Sequence, residues 1–133
     1  MSKFHHIGVF VKDTDAGVAH LSSIIDVVQI GDEIFDENLK VKIVFMRDKQ
    51  GVIYELVAPY GSKSPVNGVL TSGKNILNHV AYTSNQFDSE VVRLRDSGCI
   101  PLGKPKSAKA FDGARVIFFL VPLGFIFELI EKV

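Results

Sequence analysis

Phe4-His5-His6-Ile7-Gly8-Val9-Phe10-Val11 and Leu77-Asn78-His79-Val80-Ala81-Tyr82-Thr83 read as one stretch written twice, 73 residues apart. Both are short, apolar and rich in β-branched or aromatic residues, the composition of a strand. The offset continues through the chain, placing Asp15 on Asp88, Val18 on Val91, Leu21 on Leu94, Phe45 on Phe118, Ile53 on Ile126 and Leu56 on Leu129. Two polar positions repeat in step with these. Glu55 follows His6 by 49 residues, and Glu128 follows His79 by the same 49. A fixed internal period marks a duplicated structural unit, here residues 4–57 and 77–130. A pseudo-twofold axis between two such units brings two His and two Glu toward one place, and that donor set suits a first-row divalent metal.

Within the first copy the signals run strand, helix, strand, strand, strand. Asp13 or Thr14 can cap a helix over 15–25, where Val18, Leu21 and Ile25 fall at helical spacing. Strand-like runs at 27–34, 39–46 and 52–57 are separated by turn residues at 36–38 and 48–51. The second copy repeats the order with a strand at 77–83, a helix at 86–96, a short strand at 100–102, and strands at 114–121 and 125–130 joined by Pro122-Leu123-Gly124. Residues 58–76, with Pro59, Gly61, Pro65, Gly68 and Gly73, have a linker composition in which Ser64-Pro65 can open one short helix. A sheet covered by its helix on one face only must cover the other against something apolar. The expected fold class is α+β: two tandem βαβββ modules forming a curled mixed sheet around a metal-binding cleft. Module one (4–57), the linker and module two (77–130) make a single domain over 1–133, with pairing within or between chains left open.

The 133 residues include 15 basic and 15 acidic side chains, so net charge and any long basic stripe are absent and nucleic acid is not expected as a partner. No apolar run approaches the roughly 20 residues that span a membrane, and the N-terminal Met-Ser-Lys-Phe lacks the apolar stretch of a signal peptide. The expected location is the cytoplasm, without membrane attachment. Cys99, the single cysteine, reads as a small buried hydrophobe.

Side chains alternate along a strand, which lets one of His5 and His6 face the cleft. The offset pairs His6 with His79 and His5 with Asn78, so His6 is the candidate. Glu55 shares a face with Ile53 and Val57, and Glu128 lies between Ile126 and Ile130. An ionised carboxylate on an apolar face costs several kcal/mol or more unless a cation compensates it, and one divalent ion satisfies both. Lys104, Lys106 and Lys109 form a short basic run that can grip an anionic substrate tail. Glu131 falls on the face opposite Glu128 and reads as a solvated strand end.

His6-Ile7-Gly8-Val9 with Lys12-Asp13, Tyr54-Glu55-Leu56-Val57-Ala58-Pro59, Ser64-Pro65-Val66, Asn78-His79-Val80-Ala81-Tyr82 and Phe127-Glu128-Leu129-Ile130-Glu131 together resemble the vicinal oxygen chelate superfamily, in its glyoxalase I and methylmalonyl-CoA epimerase branch. The resemblance covers nearly the whole chain. It implies one divalent metal, with Ni, Co or Zn foremost, held by His6, Glu55, His79 and Glu128 and chelating two adjacent substrate oxygens. It also implies Glu128 or Glu55 as a base at a carbon next to a carbonyl, and pairing into a homodimer. The first expectation for function is a glyoxalase I-like isomerase or lyase acting on a thiol-linked carbonyl compound. The alternatives are a methylmalonyl-CoA epimerase-like racemase and a metal-free protein that sequesters a small ligand. Two positions depart from the glutathione-dependent members, which usually carry an Arg four residues after the first ligand His and an Asn four after the first ligand Glu. Phe10 and Pro59 stand there. Near Lys42, bacterial epimerases often place a second carboxylate base.

Overall fold

The computed structural model describes residues 2–74 and 76–132. Its described residues form one mixed sheet of nine strands. Module one runs β1 (Ser2–Phe10), α1 (Thr14–Ile24), β2 (Val27–Asp36), β3 (Val41–Asp48) and β4 (Ile53–Pro59). Helix α2 (Val66–Ser72) lies in the connection, ended by Gly73 in the left-handed region at φ 69°. Module two runs β5 (Leu77–Ser84), α3 (Phe87–Asp96), β6 (Ile100–Pro101), β7 (Lys106–Ser107), β8 (Arg115–Leu120) and β9 (Ile126–Glu131). The sheet order is β2-β3-β4-β1-β5-β9-β8-β6, with β7 paired to β8, so the modules pair within this chain through antiparallel β1 and β5.

The duplication extends to the register. In the parallel β1–β4 ladder Ile7 faces Tyr54 and Gly8 faces Glu55. In β5–β9, Val80 faces Phe127 and Ala81 faces Glu128, each partner 73 positions on. Phe45 lies opposite Glu55 as Phe118 lies opposite Glu128. This repetition sets the pseudo-twofold axis between β1 and β5.

Each module's helix covers one face of the sheet for an evident local reason. The Asp13 side chain accepts from Ala16 N at 2.9 Å and caps α1, a contact worth about 1 kcal/mol. Val18 and Leu21 then pack on Val44, Met46 and Leu56. Helix α3 carries Asp88 and Glu90 in its first turn and Arg93 and Arg95 in its last, the arrangement that its dipole favours. Phe87 and Leu94 bury with Cys99, Phe119 and Leu129. Arg115, to which the sequence lent no role, pairs with Asp88 and Glu131 and lies over the Phe87 ring, fastening α3 to the sheet. On the other face, Val41, Ile43 and Val57 of module one cluster with Val66 of α2, Ala108, Val116 and Ile130 of module two form a second cluster, and Leu39 packs against both.

Between β6 and β8 the chain departs from simple repetition. The loop expected from Lys104 onward contains β7 and a 3₁₀ turn at Lys109–Phe111. Asp36, buried at the end of β2, accepts from the backbone N–H groups of Leu39 and Lys109, and Asn38 Nδ2 donates to Ser107 O. Module one's hairpin thereby holds module two's loop across the cleft. No helix among the described residues is long and apolar enough to cross a membrane.

Candidate metal centre

His6 on β1, Glu55 on β4, His79 on β5 and Glu128 on β9 converge at the pseudo-twofold axis, all four buried. These are the four positions read from the sequence. His6 Nε2 stands 3.3 Å from Glu55 Oε1, from Glu128 Oε1 and from His79 Nε2. His79 Nε2 stands 3.3 Å from Glu55 Oε1 and 3.2 Å from Glu128 Oε1. Donors that share an ion at about 2.0–2.2 Å lie roughly 3.0–3.5 Å from one another, so these separations fit a common ion. Glu128 Oε1 gives a second reason: fully enclosed, it has His6 Nε2 and His79 Nε2 at 3.3 and 3.2 Å but hydrogen-bonding geometry to neither. A buried polar atom left so needs a partner, and a cation supplies one.

The imidazoles are aimed by their other nitrogens. Asn78 Oδ1 lies 2.9 Å from His79 Nδ1, and His5 Nδ1 lies 2.8 Å from His6 Nδ1. His5 is therefore not turned to the opposite face, as strand alternation led us to expect. The β1–β5 ladder passes from Phe4↔Tyr82 to His6↔Ala81, so His5 is an extra residue in β1. A bulge of this kind re-aims side chains beside functional sites. Aromatic rings close the rest of the shell, again in duplicate: Phe45 is edge-on to His6 and Phe118 edge-on to His79, while Phe111 stacks on His6. Gly8 keeps room for the His79 ring, since a Cβ there would lie 2.0 Å from His79 Cε1.

Burial opposes charge on every member, and the mutual attraction of the four outweighs it. Desolvation would lower both histidines, yet the Glu55 and Glu128 carboxylates raise His6 to about 9 and His79 to about 10. Desolvation would raise Glu55 and Glu128, yet the two imidazoliums hold both below the ordinary carboxylate range. His5 is lowered, by burial first and by His6 next. Without an ion both histidines are therefore protonated at neutral pH. Their stabilisation is full below the ordinary 6.5 and is lost as pH rises through 9 and 10, while that of the carboxylates is lost as pH falls below about 4.5. An ion must displace both imidazole protons, so its binding tightens over the range in which the ion-free protein weakens. We expect the melting temperature in chelator to fall between pH 6.5 and 8.5, the increment from added Ni to grow over the same interval, and calorimetry at pH 7.5 to find about two protons released per ion. Binding independent of pH would contradict these protonation states.

Glu55, His79 and Glu128 line a cavity of about 480 Å³, walled by apolar side chains including Phe10, Val57 and Val66. The same cavity is lined by Lys40, Lys63, Lys104 and Lys106, all exposed. Lys104 and Lys106 thus stand where the basic run was expected to act, whereas Lys109 does not line the cavity and uses its backbone to hold Asp36. Lys40 and Lys63 went unnoticed in the sequence because they are isolated there, one in the β2–β3 turn and one in the linker, and only folding gathers them. Lys42 does not line the cavity. Glu131 pairs with Arg115 at 2.7 Å.

No curated protein matches the chain. Among solved structures it is similar to a hypothetical protein from Bacillus halodurans, at 20% identity and a TM-score of 0.84 over 99% of this chain and 95% of that one. It is also similar to methylmalonyl-CoA epimerase from Mycobacterium tuberculosis, at 19% identity and a TM-score of 0.78 over 98% and 87%. A third similar structure is the Streptomyces coelicolor methylmalonyl-CoA epimerase solved with 2-nitronate-propionyl-CoA, at 21% identity and a TM-score of 0.79 over 98% and 94%. At such identities the likeness establishes the fold. A family model described as the Glyoxalase/Bleomycin resistance protein/Dioxygenase superfamily matches residues 5–118, a span that includes both candidate histidines and Glu55. The chain therefore belongs to the glyoxalase/bleomycin resistance protein/dioxygenase superfamily.

Proposed function

We propose that His6, Glu55, His79 and Glu128 hold one divalent ion, Ni, Co or Zn, and that the protein moves a proton at the carbon next to the carbonyl of a coenzyme A thioester, as a methylmalonyl-CoA epimerase does. The observation that carries this reading is the convergence of four buried donors at a cavity that four lysines also line. A divalent ion supplies Lewis-acid stabilisation to the negative charge that develops on a carbonyl oxygen when the adjacent carbon loses its proton.

The chain's own residues do the rest. Glu55 and Glu128 are the acidic side chains among those lining the cavity, so proton transfer falls to them. Lys40, Lys63, Lys104 and Lys106 place positive charge around the phosphates of a coenzyme A tail, and the apolar wall excludes water from the reacting carbon. If one carboxylate removes the proton and returns it to the same face of the same carbon, the hydrogen exchanges with solvent but the substrate is unchanged. If the two act from opposite faces, the outcome is inversion.

Glyoxalase chemistry on a glutathione adduct, the first expectation from the sequence, draws less support. Phe10 lines the cavity as an apolar wall where a polar grip on glutathione would be expected, and the named enzymes of similar fold are epimerases. Ion-free sequestration gives the four buried donors, with His–Glu separations of 3.2–3.3 Å, no ion to share. The test is incubation of the Co- or Ni-loaded protein with one enantiomer of methylmalonyl-CoA in deuterated water. Deuterium at the α-carbon with loss of optical purity is the expected result. Turnover of the glutathione hemithioacetal of methylglyoxal with no exchange on the thioester would overturn the epimerase reading in favour of the glyoxalase one.

A further inference from the structure

The central β1–β5 ladder has two register shifts. One makes His5 the extra residue of β1; the other, between Gly8↔His79 and Val9↔Leu77, makes Asn78 the extra residue of β5. Each extra residue immediately precedes a candidate ligand histidine, and the two are 73 positions apart. Each also presents an atom to the Nδ1 of the histidine that follows, at 2.8 Å for His5 and 2.9 Å for Asn78. The duplication has thus preserved a device beyond the four donors: a bulge that turns two consecutive side chains inward, the first to hold the second.

We propose that His5 is a positioning residue, the counterpart of Asn78, whose Nδ1 accepts the Nδ1–H proton of His6 and so holds the His6 ring with Nε2 toward the centre. The proposal rests on the metal-binding reading above for its consequence, though not for its geometry. An imidazole that offers the lone pair of Nε2 to an ion carries its proton on Nδ1, and an acceptor at Nδ1 fixes that tautomer and the ring's rotation. Asn78 Oδ1 is an acceptor of this kind for His79. At position 5 the acceptor is a second imidazole, which also packs edge-on against the Phe45 and Phe111 rings. Those contacts hold the ring of His5, and through it the orientation of His6.

Two variants separate orientation from packing. His5→Phe keeps an aromatic ring against Phe45 and Phe111 but removes the acceptor, whereas His5→Asn installs the side chain that serves at position 78. We expect His5→Phe to bind Ni or Co roughly 10- to 100-fold more weakly in a competition titration with a chelator, and His5→Asn to restore most of that loss. Nitrogen-resolved NMR reads the bond directly: the His6 Nδ1–H proton should exchange slowly in wild type and in His5→Asn, and be lost to fast exchange in His5→Phe. A His6 Nδ1–H that stays protected in His5→Phe, or equal loss of affinity in both variants, would overturn the proposal. If wild-type protein bound no ion, the metal reading would fall while the NMR comparison still decided the role of His5.

Discussion

On the proposed reading, Gly8→Ala is expected to abolish binding of a divalent ion although position 8 donates nothing to it. The added methyl carbon would lie 2.0 Å from Cε1, 2.2 Å from Nε2 and 2.5 Å from Nδ1 of His79. No Cβ tolerates such distances, so something must move. The backbone at Gly8 is poorly placed to yield, because β1 is bonded on one side to β4 and on the other to β5, with Gly8 in register with Glu55 and His79. Moving it would displace two candidate ligands at once. The imidazole must swing instead, giving up Asn78 Oδ1 and the convergence of Nε2 on the carboxylates. Disrupting the partners that orient a ligand costs about 10- to 100-fold in metal affinity, and displacing the ligand itself should exceed that range. Overpacking should also lower folding stability by roughly 1–3 kcal/mol. Chelator competition on the refolded variant, with circular dichroism to verify the sheet, checks both. Wild-type affinity in Gly8→Ala would mean that His79 is not held where the ion would sit.

Much of this arrangement was legible in the sequence because duplication makes functional residues visible twice. His6 and Glu55 alone are two polar residues in apolar strands; their repetition at His79 and Glu128 separates them from chance. The strand and helix order was legible for the same reason, while most element ends moved by one or two residues, as at β3, expected over 39–46 and found at Val41–Asp48, and at α1, which begins on Thr14 behind the Asp13 cap. Three things were hidden. Strand alternation placed His5 on the far face, because it assumes one residue per ladder step and cannot foresee a bulge that adds a residue. The 3₁₀ turn that delivers Phe111 onto His6 carries no periodicity of its own, and it is held by Asp36 from the other module. The four lysines of the cavity come from a turn, a linker and a loop, so their association exists only in the folded chain. What repeats along the chain could be read from it, and what is made by contact between the copies could not.

Glu128→Gln carries the other large effect, and it is most informative beside Glu55→Gln. On the proposed reading both carboxylates flank the reacting carbon and both are ionised, held below the usual carboxylate range by the imidazoles despite complete burial. Replacing either by an amide keeps the shape and one oxygen donor but removes the proton acceptor. A general base contributes about 10²- to 10⁴-fold, and the exchange step that each Glu serves should fall by that factor under saturating Ni or Co. The pseudo-twofold axis makes the two losses distinguishable. If inversion uses one carboxylate on each face, Glu128→Gln should abolish deuterium exchange from one enantiomer of methylmalonyl-CoA and leave it for the other. Glu55→Gln should show the opposite preference, and neither variant should epimerise at an appreciable rate. If a single carboxylate removes and returns the proton, only one of the two variants loses exchange, and the thioester exchanges its α-hydrogen without inversion. Full turnover in ion-saturated Glu128→Gln would remove Glu128 from the proton path altogether and leave it as a ligand alone.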